Sequence, residues 1–265
     1  MSLALAVVLL AQLGSRPAEC AAGGSEGGAN AWERAKEPNL RRYCDLLASG
    51  TAKLVGAGPL VKDVPGLADE ADKVLPGRAA PEVLKGRALL RLGKADEALA
   101  ALVEARKRDD RALDDPVAGL VWARANARTG HRVEAAQAYR ASLPRISGLA
   151  SAERAAASFE AGLAVMALGK DGIDDAIAMF RQAGRDAQDA LAAASTMALA
   201  LALDRAGSRD EAVSVLAERG RFDAKAVLAD PRVATALADA GATGESAALL
   251  AIAQVPVGAR KGAPR

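Results

Sequence analysis

Small and large apolar residues recur along the chain in a fixed order around five glycines. These glycines are spaced 37, 39, 38 and 34 residues apart, and they are Gly93, Gly130, Gly169, Gly207 and Gly241. A period of this length is typical of stacked helical repeats, in which each repeat is one pair of helices. We therefore predict that every glycine closes the turn between the two antiparallel helices of a hairpin.

The positions around each glycine keep a constant character. Seven residues before it lies a small residue: Gly86, Ala123, Gly162, Ala200 and Ala234. A second small residue lies five residues after the glycine, or seven in the third copy: Ala98, Ala135, Ala176, Ala212 and Ser246. A large apolar residue follows four positions after this second small residue, and a third small residue follows seven positions after it. The five pairs are Leu102 and Ala105, Tyr139 and Ser142, Phe180 and Ala183, Leu216 and Arg219, Leu250 and Ala253. Arg219 is the one exception to the small position. Small residues allow two helices to approach closely, and the large residue fills the gap to the next pair.

This order of small, glycine, small, bulky and small positions resembles the tetratricopeptide repeat (TPR) family over residues 78–255. The resemblance implies an all-α fold of about five stacked antiparallel hairpins that form a TPR-like right-handed α-solenoid. Two features depart from the family. The third copy has two extra residues around Asp171, and other residues replace the bulky aromatic of the first helix: Leu89, Asn126, Val165, Leu203 and Leu237.

Residues that favour helix ends agree with this division. Asp115-Pro116 and Asp230-Pro231 each combine an N-cap acid with a proline at the first helical position. Acidic residues also open each second helix, at the positive end of its dipole: Asp96, Glu97, Glu134, Asp174, Asp175, Asp210, Glu211 and Glu245.

The segments outside the repeats have their own predicted roles. Residues 31–77 are predicted to form a helical pair, over 39–55 and 67–75, that caps the end of the array. The break between these helices is placed at the glycine-rich residues 56–59 and at Val64-Pro65-Gly66. Residues 23–30 are a flexible Gly/Ser-rich linker, and residues 256–265 are a basic disordered tail.

An apolar run from Leu3 to Leu13 predicts a signal peptide in residues 1–22. About 20 apolar residues are needed to span a bilayer, whereas a run of this length matches the core of an export signal. No basic residue precedes the run, and a buried first helix is the alternative. Cleavage is predicted after Cys20 or Ala22, where small residues occupy the required positions. The expected location is therefore periplasmic or extracellular.

Cys20 leaves two further possibilities open. A flexible segment follows it, as in lipoproteins, although Pro17 and Glu19 differ from the residues that usually precede a lipidated cysteine. Membrane association is expected only if Cys20 carries a lipid. If Cys20 is retained, a disulfide with Cys44 is conceivable.

Composition and charge narrow the classes of fold and partner. Apolar residues make up 51% of the chain and aromatics only 3%, which favours helices rich in alanine and leucine. The net charge of +2 comes from 35 basic and 33 acidic residues that are scattered along the chain. A nucleic-acid partner is not predicted, because such binding needs a concentrated basic surface.

Residues with catalytic chemistry are scarce. His131 is the only histidine, and its place just after Gly130 predicts a surface turn rather than a triad or metal site. Pairs of acids such as Asp109-Asp110 and Asp174-Asp175 are explained by helix capping. We predict no enzyme activity, no metal and no cofactor.

The resemblance also implies a binding surface. In TPR proteins the first helix of each pair lines a concave groove that binds peptides. Carried over position by position, the groove residues are Val83, Arg87, Leu90, Arg91, Leu120, Arg124, Arg128, Phe159, Leu163, Met166, Met197, Leu201 and Arg205. The arginines of the first two copies repeat at one spacing and could fork onto carboxylates, whereas the groove turns apolar around Phe159 and Met166. The alternative is that these arginines are solvated helix-face residues.

The predicted function is a non-catalytic protein–protein interaction scaffold of the bacterial cell envelope, with a peptide or protein bound in the concave groove. One alternative is an accessory subunit of an envelope assembly or secretion complex, which would bind through its convex face. A remote alternative is an all-α enzyme such as a glycan-processing hydrolase. No residue pattern identifies the partner.

Overall fold

The computed structural model describes residues 17–21, 38–55, 59–218, 244–245 and 249. Within these residues all regular structure is helical, so the predicted all-α fold class is confirmed. The α-helices are α1 (Ala18–Ala21), α2 (Pro38–Val55), α3 (Val64–Val74), α4 (Ala80–Arg91), α5 (Ala95–Arg108), α6 (Pro116–Arg128), α7 (Arg132–Ser142), α8 (Ser151–Met166), α9 (Ile173–Asp186), α10 (Asp189–Arg205) and α11 (Arg209–Glu218). Three 3-10 helices span Pro59–Asp63, Leu143–Gly148 and Gly169–Gly172.

The helices form two compact units, the first ending at Ala150 and the second beginning at Ser151. The first unit contains α1 to α7, and the second contains α8 to α11. Within each unit every helix from α2 onward packs against the next one along the chain. Because short turns join the helices of each pair, α4–α5, α6–α7, α8–α9 and α10–α11 are antiparallel hairpins.

Glycines with positive φ close these hairpins, as the repeat pattern predicts. Gly93, Gly130, Gly169 and Gly207 have φ between 79° and 86°, a region that residues with a Cβ rarely adopt. The amide of Lys94, just after Gly93, donates to the carbonyl of Leu89 over 2.9 Å and so ends α4. His131 and Ser208 make the equivalent bond after their glycines. Gly241 lies outside the described residues.

Contacts between small and large residues hold each hairpin together. A Cβ at Gly86 would lie 2.8 Å from Leu102 Cγ, so α4 and α5 approach at this glycine. Ala123 and Ala135 are fully buried where α6 meets α7. The predicted small and large positions are therefore confirmed for four copies, whereas those of the fifth copy, from Ala234 to Ala253, and Arg219 lie outside the described part.

The turn that contains the two extra residues of the third copy includes the four-residue 3-10 helix Gly169–Gly172, which leads directly into α9. A Cβ on Gly172 would collide with the carbonyl of Val165. Glycine at this position therefore allows the longer turn to fold back against α8.

The helical pair before the repeats differs from its predicted bounds. The predicted break at Val64-Pro65-Gly66 is wrong, because α3 begins at Val64 and these residues form its first turn. A proline is tolerated there since the first amides of a helix have no partner within it. The pair packs in the same unit as the first two repeat hairpins.

A disulfide bond joins the N-terminal segment to α2, which was one of the possibilities for Cys20. Cys20 and Cys44 are bonded, with their Cα atoms 5.7 Å apart. The hydroxyl of Tyr43, which is buried, donates to Glu19 over 2.9 Å. Burial and this acidic neighbour raise the pKa of Tyr43. The sulfur atom of Cys20 cannot carry both this bond and a lipid, whereas cleavage after Cys20 or Ala22 stays a prediction.

The other predicted segments fall largely outside the described residues. These are most of the signal peptide in residues 1–22, the linker at 23–30 and the tail at 256–265. No helix in the described part of the chain combines the length and hydrophobicity needed to span a bilayer.

Candidate functional site

Four of the predicted groove arginines belong to the first helices of the first two repeats. We call this set the arginine ridge: Arg87 and Arg91 on α4, and Arg124 and Arg128 on α6. The two helices lie side by side, because Arg128 Nη1 donates to the Leu90 carbonyl over 2.9 Å. The ridge is therefore continuous across two repeats.

The repeat itself sets the direction of these arginines. Gly86 faces the second helix of its own hairpin, and so does Gly119, one turn before the buried Ala123. Each helical residue is rotated by about 100° from the one before it, so Arg87 and Arg124 turn away from that contact. Both are half-buried, whereas Arg91 and Arg128, four residues later, are exposed. Val83 is half-buried four residues before Arg87.

Six of the predicted groove residues are instead buried in the protein's own core. Each has at most 7% of its surface exposed: Leu90, Leu120, Phe159, Met166, Met197 and Leu201. The last four belong to one core cluster of the second unit, in which the rings of Phe159 and Phe180 lie 5.9 Å apart. The predicted apolar stretch around Phe159 and Met166 is therefore core rather than exposed lining, and Leu163 packs half-buried beside it.

Arg205, the last predicted groove residue, is exposed and already has an acidic partner. Its Nη2 donates to Glu245 Oε2 over 2.8 Å. This arginine belongs to the second unit and is not part of the ridge.

A cleft that the sequence analysis did not predict lies between α5 and α7 in the first unit. Its volume is about 310 Å³, and Trp122 of α6 is part of its lining. The guanidinium of Arg106 lies 5.5 Å from the centre of the Trp122 ring. The hairpin pattern contains no information on this pairing, because the two residues come from different repeats.

The polar groups with possible catalytic chemistry have structural contacts. His131 is exposed, and its Nδ1 lies 2.8 Å from Thr129 Oγ1. Asp115 caps α6 by accepting from the amides of Val117 and Ala118, as predicted. Among the described residues, no group of three histidines, cysteines or acids is placed to hold a metal ion.

A protein built from successive helical hairpins of this kind is a helical-repeat protein. No family model matches the chain, and no curated protein matches it. Solved structures of known proteins do share its architecture.

Three of these structures come from proteins with 15–17% sequence identity to the chain. YrrB, a TPR protein with an unusual peptide-binding site, has a TM-score of 0.52, covering 78% of this chain and 97% of its own. MamA has a TM-score of 0.49, covering 76% and 94%. The Cut9–Hcn1 hetero-tetramer of the APC/C has a TM-score of 0.46, covering 89% and 48%. The similarity to YrrB shows that the chain has a divergent, TPR-like all-α fold.

Proposed function

We propose that this protein is a non-catalytic scaffold that binds an extended, acidic segment of a protein partner along the arginine ridge. The observation that carries this proposal is the repetition of two arginines at one spacing, 37 residues, on two adjacent first helices. A regular array of guanidinium groups is suited to carboxylates, because each guanidinium can donate two parallel hydrogen bonds.

The spacing of the ridge matches an extended acidic peptide. Packed helices lie about 8–10 Å apart, and residues three apart in an extended chain are separated by roughly the same distance. A peptide crossing α4 and α6 can therefore place one carboxylate near each helix. A peptide-binding role is also consistent with YrrB, which has a peptide-binding site.

Reversing the charge of Arg87 and Arg124 together is expected to weaken binding of an acidic peptide by at least tenfold. The reason is that two attractive contacts become repulsive in a surface where charge decides partner choice. The probe is a labelled nonapeptide with glutamate at every third position and glycine elsewhere, and its binding is followed by fluorescence anisotropy.

Arg111→Glu with Arg132→Glu provides the matched control. Both residues are exposed and lie outside the ridge, so the net charge changes equally. Circular dichroism checks that both double variants keep their helices. Equal affinities for the two double variants would contradict binding at the ridge.

We further propose that the scaffold works in the cell envelope. Support comes from the predicted export signal and from the Cys20–Cys44 disulfide, because disulfides persist in oxidising compartments and are rare in the cytosol. The site of signal cleavage would then lie before Cys20, so that the mature protein keeps both halves of the bond.

This location predicts the thiol chemistry of the protein isolated from its own cells. After fractionation, the protein is expected outside the cytoplasm, and neither cysteine should react with an alkylating reagent until a reductant is added. Peptide mass spectrometry should recover Cys20 linked to Cys44. A cytoplasmic protein with two reactive thiols, or a mature chain that begins after Cys20, would refute the proposal.

A further inference from the structure

A close contact between two helices lies at the base of the cleft between α5 and α7. Gly119 lies there, and a Cβ on it would collide with Ser142 Oγ, so α6 and α7 are in close contact at this point. Trp122, one turn further along α6, is half-buried in the cleft lining. A volume of about 310 Å³ is at the lower end of the range for ligand sites, which suits one long side chain.

The two arginines of the cleft are held by groups other than carboxylates. Arg106 lies over the Trp122 ring. Arg145 Nη1 donates to the Asp114 carbonyl over 2.8 Å, and its Nε donates to the Ala141 carbonyl over 3.3 Å. Arg106 already lies over part of this aromatic wall, so a guanidinium group from a partner would pack beside Arg106 or in its place.

Three carboxylates at the cleft, by contrast, lack a basic partner within the described residues: Asp110, Asp114 and Glu134. Other acids of this unit are paired with lysine or arginine: Asp63, Asp69, Glu70, Asp72, Glu82, Glu97 and Glu104. The cleft lining therefore has three carboxylates and the two guanidinium groups of Arg106 and Arg145, and within the described residues none of these carboxylates forms an ion pair.

We propose that this cleft is a second docking site, distinct from the arginine ridge, for a lysine or arginine side chain in a basic segment of a protein partner. The aliphatic part of that side chain would pack along Trp122, and its charged end would lie among the three carboxylates. The ridge and the cleft have opposite charge preferences, so the scaffold can hold an acidic and a basic segment at the same time.

The test uses Trp122 as its own reporter. The chain has two tryptophans, so Trp32→Phe leaves Trp122 as the single source of tryptophan fluorescence. The probe is the blocked pentapeptide Gly-Arg-Gly-Arg-Gly, compared with a version in which citrulline replaces arginine. Citrulline keeps the shape of arginine and removes its charge.

We expect a saturable change in fluorescence with the arginine peptide and about tenfold weaker binding of the citrulline peptide. Asp110→Asn with Glu134→Gln should also weaken the arginine peptide about tenfold, because these replacements keep size and remove charge. The matched control is Asp96→Asn with Glu97→Gln, which removes two acids of α5 that do not line the cleft and should leave binding unchanged.

Three results would overturn the proposal. One is equal binding of the arginine and citrulline peptides, and another is unchanged binding after Asp110→Asn with Glu134→Gln. The third is self-association in sedimentation that the same double variant abolishes, since it would assign the cleft to a second copy of this chain. Binding to the arginine ridge is measured separately with the acidic nonapeptide, so failure of one site leaves the result for the other intact.

Discussion

Replacing Gly162 by alanine is expected to lower the free energy of unfolding by about 3 kcal/mol, at the upper end of the usual effect of overpacking a core. A Cβ at this position would lie 2.5 Å from Cε1 and 2.7 Å from Cδ1 of Phe180. Phe180 is fully buried in the core of the second unit, so its ring has no free space to enter. In a helix without such a contact, the same change stabilises by roughly 0.5–1 kcal/mol. The sign of the change in the free energy of unfolding therefore distinguishes overpacking from helix propensity.

Gly184→Ala provides the control for this measurement. Gly184 lies in α9, and a Cβ there would meet no atom within 4 Å, so a small stabilisation is expected. Urea unfolding followed by circular dichroism measures both variants. If Gly162→Ala were as stable as the parent, the close contact between α8 and α9 would be wrong.

A double-mutant cycle shows whether Phe180 is the cause. Phe180→Leu alone should destabilise by leaving a cavity. The double variant Gly162→Ala with Phe180→Leu should be less destabilised than the two single changes add up to, by at least about 1 kcal/mol in the free energy of unfolding. The reason is that the smaller side chain leaves room for the new methyl group. Simple additivity would show that the damage at Gly162 has another cause.

The positions of Gly162 and Phe180 could be predicted from the sequence because they repeat. The large residue was predicted to fill the gap to the next pair, whereas Phe180 also packs against Gly162 within its own hairpin. The small and large positions recur with the glycine, and a helical turn closed by a residue with positive φ requires glycine at that point. These constraints lie within one hairpin of about 35 residues. They therefore recur in the sequence with a regular period, from which the helices and their pairing into hairpins could be predicted.

The exposure of the groove residues could not be predicted in the same way. Nearly every residue from Ala192 to Leu203 in α10 is buried, so its sequence contains no polar stripe that shows which side faces a partner. Met197 and Leu201 were assigned to the groove from their repeat position, yet neighbouring helices cover them. Among the ridge arginines, Arg91 and Arg128 are exposed, whereas Arg87 and Arg124 are half-buried.

Contacts between elements that belong to no common hairpin could not be derived from the repeat pattern. The approach of Cys20 to Cys44 depends on where α1 docks, and the stacking of Arg106 on Trp122 depends on how α5 meets α6. Spacing along the sequence does not determine either distance. The same holds for Arg108, which joins three helices.

Arg108, at the end of α5, holds carboxylates from the two preceding helices. Its Nη1 lies 2.5 Å from Asp72 Oδ1 of α3, and its Nη2 lies 3.2 Å from Glu82 Oε1 of α4. The side chains of Arg108 and Glu82 are only 19% and 13% exposed. Arg108 also bonds to Glu104, one turn before it on α5, and to the carbonyl of Arg78. It therefore links the helical pair before the repeats to the first repeat.

Replacing Arg108 by methionine is expected to lower the free energy of unfolding by about 2 kcal/mol at pH 7. Removing one partner of a fully buried ion pair costs roughly 3–5 kcal/mol, and the effect is smaller here because Asp72 still reaches water. Lys107→Met is the matched control, since Lys107 is 69% exposed and pairs with Glu104 alone. That variant should be almost as stable as the parent.

The pH dependence of Arg108→Met separates loss of charge pairing from loss of packing. Burial raises the pKa of Glu82, and Lys85 and Arg108 oppose that rise. Without Arg108 the pKa of Glu82 rises further, so the folded variant binds a proton more readily than its unfolded chain does. Its stability should therefore recover relative to the parent as the pH falls from 7 towards 4. Urea unfolding at several pH values measures this difference, and a constant gap between the two proteins would mean that Arg108 acts by packing alone.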